Sequence, residues 1–182
     1  KVGHSGALDP FASGLLIICA GRPATKVIPQ LMDGDKTYVA VLKLGVETET
    51  QDPEGKVVAT CDVPDFGKRQ IEECLESFQG EQLQVPPHYS ALKHKGKPLY
   101  YYARKGIIIE KEARKVNINE INYLSLEGDE LTFEVSCSKG TYIRTLAADI
   151  GKQLGCGAHL IQLRRTVNGA FSVENAISGE KL

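Results

Sequence analysis

The chain of 182 residues is 42% hydrophobic and 25% charged, with a formal net charge of −1, the balance of one globular domain with a substantial core. No apolar run approaches the ~18 residues that span a bilayer, and no signal-peptide pattern opens the chain, so a cytoplasmic protein is expected. The five cysteines are scattered and form no CxxC pair, which argues against a disulfide scaffold and a structural zinc site.

In chain order, the opening run KVGHSGALDPFASG reads as a loop holding His4 and a lone carboxylate, Asp9. The apolar LLIICA at 15–20 predicts a buried strand. Pro23 starts a helix that ATKVIPQLM continues, and Pro29 must kink or shorten it. TYVAVLKLG, residues 37–45, alternates and is β-branched, predicting a strand, and a polar excursion follows with a turn at Asp52–Gly55. Residues 66–80 place Ile71, Leu75 and Phe78 at helical spacing and stop at Gly80. Residues 83–106 show no period. Strands are predicted near 116–124 and 130–137, then a turn at Ser138–Gly140. An amphipathic helix over 141–155 ends at Gly155, and a strand spans 159–166. Cys19 and Cys137 fall in apolar runs and are expected in the core. Strands and helices do not alternate regularly. The expected class is therefore α+β, with a mixed, largely antiparallel sheet flanked by helices.

Charge is unevenly spread. Between His88 and Lys115, eight Lys and Arg residues face only Glu110 and Glu112, so this stretch is +6 and the remainder is −7. Such a block is either a solvated face or a phosphate-backbone contact. Lys93, Lys95 and Lys97 are its densest part.

Chemistry-bearing motifs are few. His4, His88, His94 and His159 lack metal-ligand spacing, and there is no Walker loop, GxGxxG or G-x-S-x-G. Asp9 remains. An Asp-Pro pair is ordinary turn chemistry, but here it lies in a glycine-rich loop. A second polar cluster, SKGTYIRT at 138–145, puts Tyr142 and Arg144 at a helix start, where an arginine can pair with a carboxylate from another loop.

HSGALDP, GRPATK, DKTYVAVLKLGVETETQDPEGKV, PPHYSALKHKGKPLYYYARKG and CSKGTYIRTLAADIGKQLGCGAHLIQLRRT closely resemble the bacterial tRNA pseudouridine-55 synthase family. The resemblance covers nearly the whole chain. GHSGALDP is also shared with RNA-guided relatives, whereas TETQDPEGKV and YSALKHKGKPLYYYARKG look like the stand-alone bacterial enzyme.

The resemblance implies a pseudouridine-synthase catalytic domain over 1–182, with an RNA-contacting insertion at about 83–115. Segments of the family pattern lie before Lys1, and many members carry a further C-terminal RNA-binding domain. It implies isomerisation of a T-loop uridine, at tRNA position 55, to pseudouridine. That reaction has no net redox change and needs no cofactor. Asp9 matches the catalytic aspartate, whose carboxylate can attack the sugar or the base, or assist proton transfer at the sugar. Tyr38 matches the tyrosine that stacks on the base; on the residues alone it reads as a core-facing strand position. Arg144 matches the arginine that pairs with the aspartate, which should keep Asp9 ionised. Tyr142 matches a tyrosine lining the uridine pocket, and His4 the histidine that helps displace T-loop bases as the uridine flips out. The implied partner is the T-arm of tRNA, bound by a monomer without an obligate protein partner. Two other readings are an RNA-guided synthase subunit and a non-catalytic tRNA-folding chaperone.

Overall fold

The computed structural model describes residues 1–179. The chain begins with β1 (Val2–His4), β2 (Ser13–Gly14) and β3 (Ile18–Ala20), followed by α1 (Arg22–Lys26) and α2 (Ile28–Met32). Next come β4 (Lys36–Leu44), β5 (Val46–Thr48), β6 (Val57–Thr60), α3 (Lys68–Glu76) and β7 (Gly80–Gln84). A small hairpin, β8 (Lys93–His94) with β9 (Lys97–Pro98), leads into α4 (Leu99–Ala103). The chain continues through β10 (Arg114–Glu127), β11 (Glu130–Cys137), α5 (Ile143–Leu154), β12 (Ala158–Asn168) and β13 (Phe171–Ser172).

The main sheet runs β13-β12-β4-β11-β10-β7, all antiparallel, with the short β2 paired parallel to β12. This is the expected α+β class. Its central strands alternate, except that Tyr38 in β4 is half-buried. In β4, Lys36, Ala40, Leu42 and Leu44 are buried while the odd positions are half-buried, and Leu131, Phe133, Val135 and Cys137 repeat the pattern in β11. That apolar face packs against α3, through Ile71 and Leu75, and against α5, through Leu146, Ala147 and Ile150. Gly155 ends α5 in the left-handed conformation at φ 85°, which a residue with a side chain adopts at a cost. Cys19 and Cys137 are buried, as expected.

One expectation is corrected. The predicted strand at 15–20 is split. Residues 15–17 lie outside any strand, and of this run Leu15 and Cys19 are buried while Leu16 and Ile18 are exposed. The segment lies at the margin of the core, where Leu15 docks its backbone N–H on Arg165 O at 2.8 Å. Of the two outcomes expected at Pro29, the structure shows the shortened helix, followed by a second short one. Pro29 has no N–H for the Thr25 carbonyl, so α1 stops at Lys26 and Pro29 occupies the first turn of α2.

The stretch without a period has a simple geometry. Gln84 pairs with Arg114 across β7 and β10. The chain therefore leaves the sheet after Gln84 and returns at Arg114, carrying the basic hairpin and α4 as an excursion beside the cleft described next.

Candidate active site

A cleft of about 1070 Å³ opens where the core-facing stripe of β4 ends, and Asp9, Lys36, Tyr38, Asp52, Tyr142, Arg144 and Arg165 all line it. Three separate segments supply its acidic end. Asp9 lies in the loop between β1 and β2, where a turn is closed by Ala12 N–H donating to Asp9 O at 2.9 Å. That loop is anchored by β2 against β12. Gly14 sits there at φ 98°, and a side chain on it would run into the Arg165 backbone. Arg144 comes from the first turn of α5. The entry to this helix is set by Gln84, which accepts from Tyr142 N–H at 2.8 Å and donates back to Tyr142 O at 3.1 Å.

The Arg144 guanidinium is the hub. Nη2 donates to Asp9 Oδ1 at 3.2 Å and to Tyr89 O at 2.8 Å. Nη1 donates to Asp52 Oδ2 and to Thr50 O, both at 3.0 Å. Nε lies 2.9 Å from Asp9 Oδ2 as an ion-pair contact, but its N–H is not aligned on an acceptor. The Arg144 and Asp52 side chains are only 4% and 5% exposed, whereas Asp9 is 34% exposed and reaches the cleft. Asp52 is itself held at Oδ1 by Thr50 Oγ1, at 2.5 Å, and by Glu54 N–H, at 3.0 Å. The predicted turn at Asp52–Gly55 thus also delivers the second carboxylate of the site.

Burial pushes the Asp9 carboxyl above its ordinary value. Arg144 opposes this, and the negative charge of Asp52 adds to it. Arg144 thus pulls toward the ionised form that the resemblance implies, against the larger effect of burial. One guanidinium shared between two carboxylates does not outweigh desolvation. What results is an aimed, more basic carboxylate. Burial likewise raises the Tyr38 hydroxyl, with Arg165 pulling the other way, so Tyr38 presents a neutral phenol and an aromatic face.

Asp9, Tyr38, Tyr142 and Arg144 are thus brought together. His4 is not among the lining residues; it is exposed on β1, opposite Ile18. Lys93, Lys95 and Lys97 also lie off the cleft, on the hairpin, whose turn carries Lys95 at φ 47° and Gly96 at φ 81°. Lys97 Nζ and Lys105 Nζ both donate to the Tyr101 hydroxyl, at 3.2 and 2.9 Å, and lower its pKa to about 8. Sequence reading missed Asp52, Gln84, Tyr89 and Arg165 as site residues. For Arg165 a signal existed, because it is in phase with buried Leu163 while Arg164 faces out.

Comparison with known proteins supplies the family. Residues 1–143 match the family described as TruB family pseudouridylate synthase (N terminal domain), and residues 144–182 match the tRNA pseudouridylate synthase B C-terminal domain. The junction falls at the start of α5, so Asp9 and Arg144 come from different matched parts. A tRNA pseudouridine synthase B of Desulfotalea psychrophila is 62% identical over 98% of this chain and 74% of its own length. Those of Shewanella pealeana and Shewanella woodyi are 52% and 53% identical over the whole chain, which spans 57% of their length. Among solved structures, a Cbf5-Nop10-Gar1 complex aligns with a TM-score of 0.69 at 33% identity, over 94% of this chain and 41% of that one. An H/ACA RNP bound to a substrate RNA aligns at 0.66 and 30%, over 94% and 40%. On these matches, the chain belongs to the TruB family of pseudouridylate synthases.

Proposed function

We propose that the protein isomerises one uridine of tRNA to pseudouridine, in the T-loop at position 55, with Asp9 as the catalytic residue. The observation that carries this reading is the Asp9 carboxylate held by Arg144 at the mouth of a cleft that also presents Tyr38 and Tyr142. The reaction breaks the C1′–N1 bond, turns the base and forms C1′–C5; C5 loses its proton and N1 gains one. A carboxylate fixed on one side by a guanidinium can act at the sugar or base without reorienting. Tyr38 offers a face for the flipped-out ring, and Tyr142 a second wall. His4, exposed on β1, is proposed to fill the place the uridine vacates. The T-arm is proposed to lie across the basic excursion at 85–113, with Lys93, Lys95 and Lys97 toward its phosphates. The protein is proposed to act as a cytoplasmic monomer.

The test is pseudouridine formation on an unmodified tRNA transcript by the full-length protein alone, read by chemical mapping. Product at the T-loop uridine supports the reading. The structural neighbours in H/ACA complexes favour a second reading, an RNA-guided subunit. It predicts no product until a guide RNA and protein partners are added. A non-catalytic tRNA-folding chaperone predicts no product in either case, and tRNA folding that does not depend on Asp9.

A further inference from the structure

Several cations of the cleft have their carboxylates. Arg144 has Asp9 and Asp52, and Lys139 has Asp33 at 2.6 Å. Lys36 and Arg165 are buried, at 9% and 2% exposure, yet neither has an Asp or Glu oxygen within 4.0 Å among the described residues. Their polar contacts are to backbone carbonyls and, for Arg165, also to the Tyr38 hydroxyl. Lys36 Nζ donates to Met32 O at 2.8 Å and Gly34 O at 2.5 Å. Arg165 Nε donates to Leu15 O at 2.8 Å, and Nη2 to Gly6 O at 3.1 Å. Carbonyl dipoles satisfy N–H groups but do not neutralise charge, and a buried charge without a counter-charge is costly.

The sheet brings the two together. Tyr38 is the cross-strand partner of Arg165, and Lys36 lies two residues before Tyr38 on the same face of β4. All three line the cleft. Burial lowers the Lys36 ammonium's affinity for its proton and the positive charge of Arg165 lowers it further, while Cys137 and the more distant Asp35 and Asp33 only partly offset this. An apolar residue at either position would continue the stripe of Ala40, Leu42 and Leu44. Two repelling cations there make sense if the cleft receives an anion. A phosphodiester stays charged at neutral pH, and a nucleotide's phosphate lies one sugar away from its base.

We propose that Lys36 and Arg165 form the subsite for a backbone phosphate flanking the flipped-out nucleotide. This rests on the reading of the cleft as a uridine pocket. The carbonyl contacts of the two cations are then what holds them in place before RNA arrives.

The test uses the full-length protein in an Asp9→Asn background, so that the RNA is not converted. Its ligand is a T-arm RNA hairpin with a single methylphosphonate placed in turn at each phosphate within two nucleotides of the target uridine. One position is expected to weaken binding about tenfold, the scale of one charge-assisted hydrogen bond. Lys36→Met is expected to cost a similar factor, to reduce the slope of log affinity against log salt by about 0.7, and to lose nothing further from that one methylphosphonate. Lys36→Gln keeps a donor for the Met32 and Gly34 carbonyls without the charge, and repeats the cycle if Lys36→Met does not fold. The proposal is overturned if no flanking methylphosphonate matters, or if the losses from the variants and from every methylphosphonate simply multiply. Pseudouridine formation by the unsubstituted protein on the same hairpin separates the failures. Product with multiplying losses ends only the phosphate subsite; no product ends the uridine reading itself.

Discussion

Two arginines, Arg144 and Arg165, are buried in the same cleft and are held in opposite ways. Arg144 makes two carbonyl contacts and shares its charge between Asp9 and Asp52. Arg165 makes two carbonyl contacts and has no carboxylate among the described residues. The group of Asp9, Arg144 and Asp52 therefore carries −1 with both acids ionised, while Lys36 and Arg165 carry +2. A paired guanidinium aims another group and leaves little field of its own. An unpaired one keeps its field for whatever enters. On the proposed reading, the contrast separates a chemical end of the cleft from a binding end, although both use the same residue type.

The largest effect should come from the chemical end. Asp9→Asn is expected to lower single-turnover pseudouridine formation by at least about a thousandfold, with tRNA affinity almost unchanged. It should not lower the melting temperature, because the fold disfavours the ionised Asp9 carboxyl. Residual turnover within tenfold of the parent would remove Asp9 from its role. Next, Arg144→Lys should lower kcat about a hundredfold, since a point charge cannot hold two carboxylates and two carbonyls in one plane. If its effect fell on KM instead, the division between the two arginines would be wrong.

Asp52→Asn sharpens the same comparison through stability. It leaves Arg144 with one counter-charge and disturbs the contacts from Thr50 and Glu54. A loss of about 2–3 kcal/mol is expected, visible as a lower midpoint in urea.

The pH dependence has a defined sign. Because the Asp9 pKa is raised above 3.8, the folded state holds that proton more tightly than the unfolded chain does. The stability Asp9 contributes is thus present at low pH and lost as pH rises through the folded value. Turnover should fall as pH drops through that same value. Removing the like charge in Asp52→Asn should shift this acid limb downward. A limb that moves up, or stays fixed, would break the assignment of Asp52 as the repelling neighbour.

The smallest effect belongs to the hairpin. Replacing Lys93, Lys95 and Lys97 with Gln should flatten the salt slope by roughly 0.7–0.9 for each phosphate no longer neutralised, with kcat at saturating tRNA unchanged. Lys97 should contribute least, because it already donates to Tyr101.

The legibility of these parts in the sequence follows from their range. The strand at 36–44, the strands at 114–127 and 130–137 and the helix at 143–154 have periods long enough to read. Asp9 stood out because it is the one acid in a glycine-rich loop. Asp52 was visible only as a turn, since its partner lies 92 residues away. Arg165 looked like half of an Arg-Arg pair. Only the phase set by Leu163 tells which of the two enters the core, and that needs the strand's facing to be known. The split at 15–17 was illegible because the apolar run LLIICA carries no mark of where the core ends.

The ties that close this cleft span almost the whole chain. Asp9 meets Arg144 across 135 residues, Leu15 meets Arg165 across 150, and Ser5 meets Asn168 across 163. Such contacts form late, because each requires closing a very long loop. During synthesis, the Asp9 loop leaves the ribosome early and waits for β12 before it has a floor to rest on. A nascent or clipped chain ending before Arg165 would carry the Asp9 loop without its anchor. On the proposed reading, such a chain is expected to bind RNA poorly.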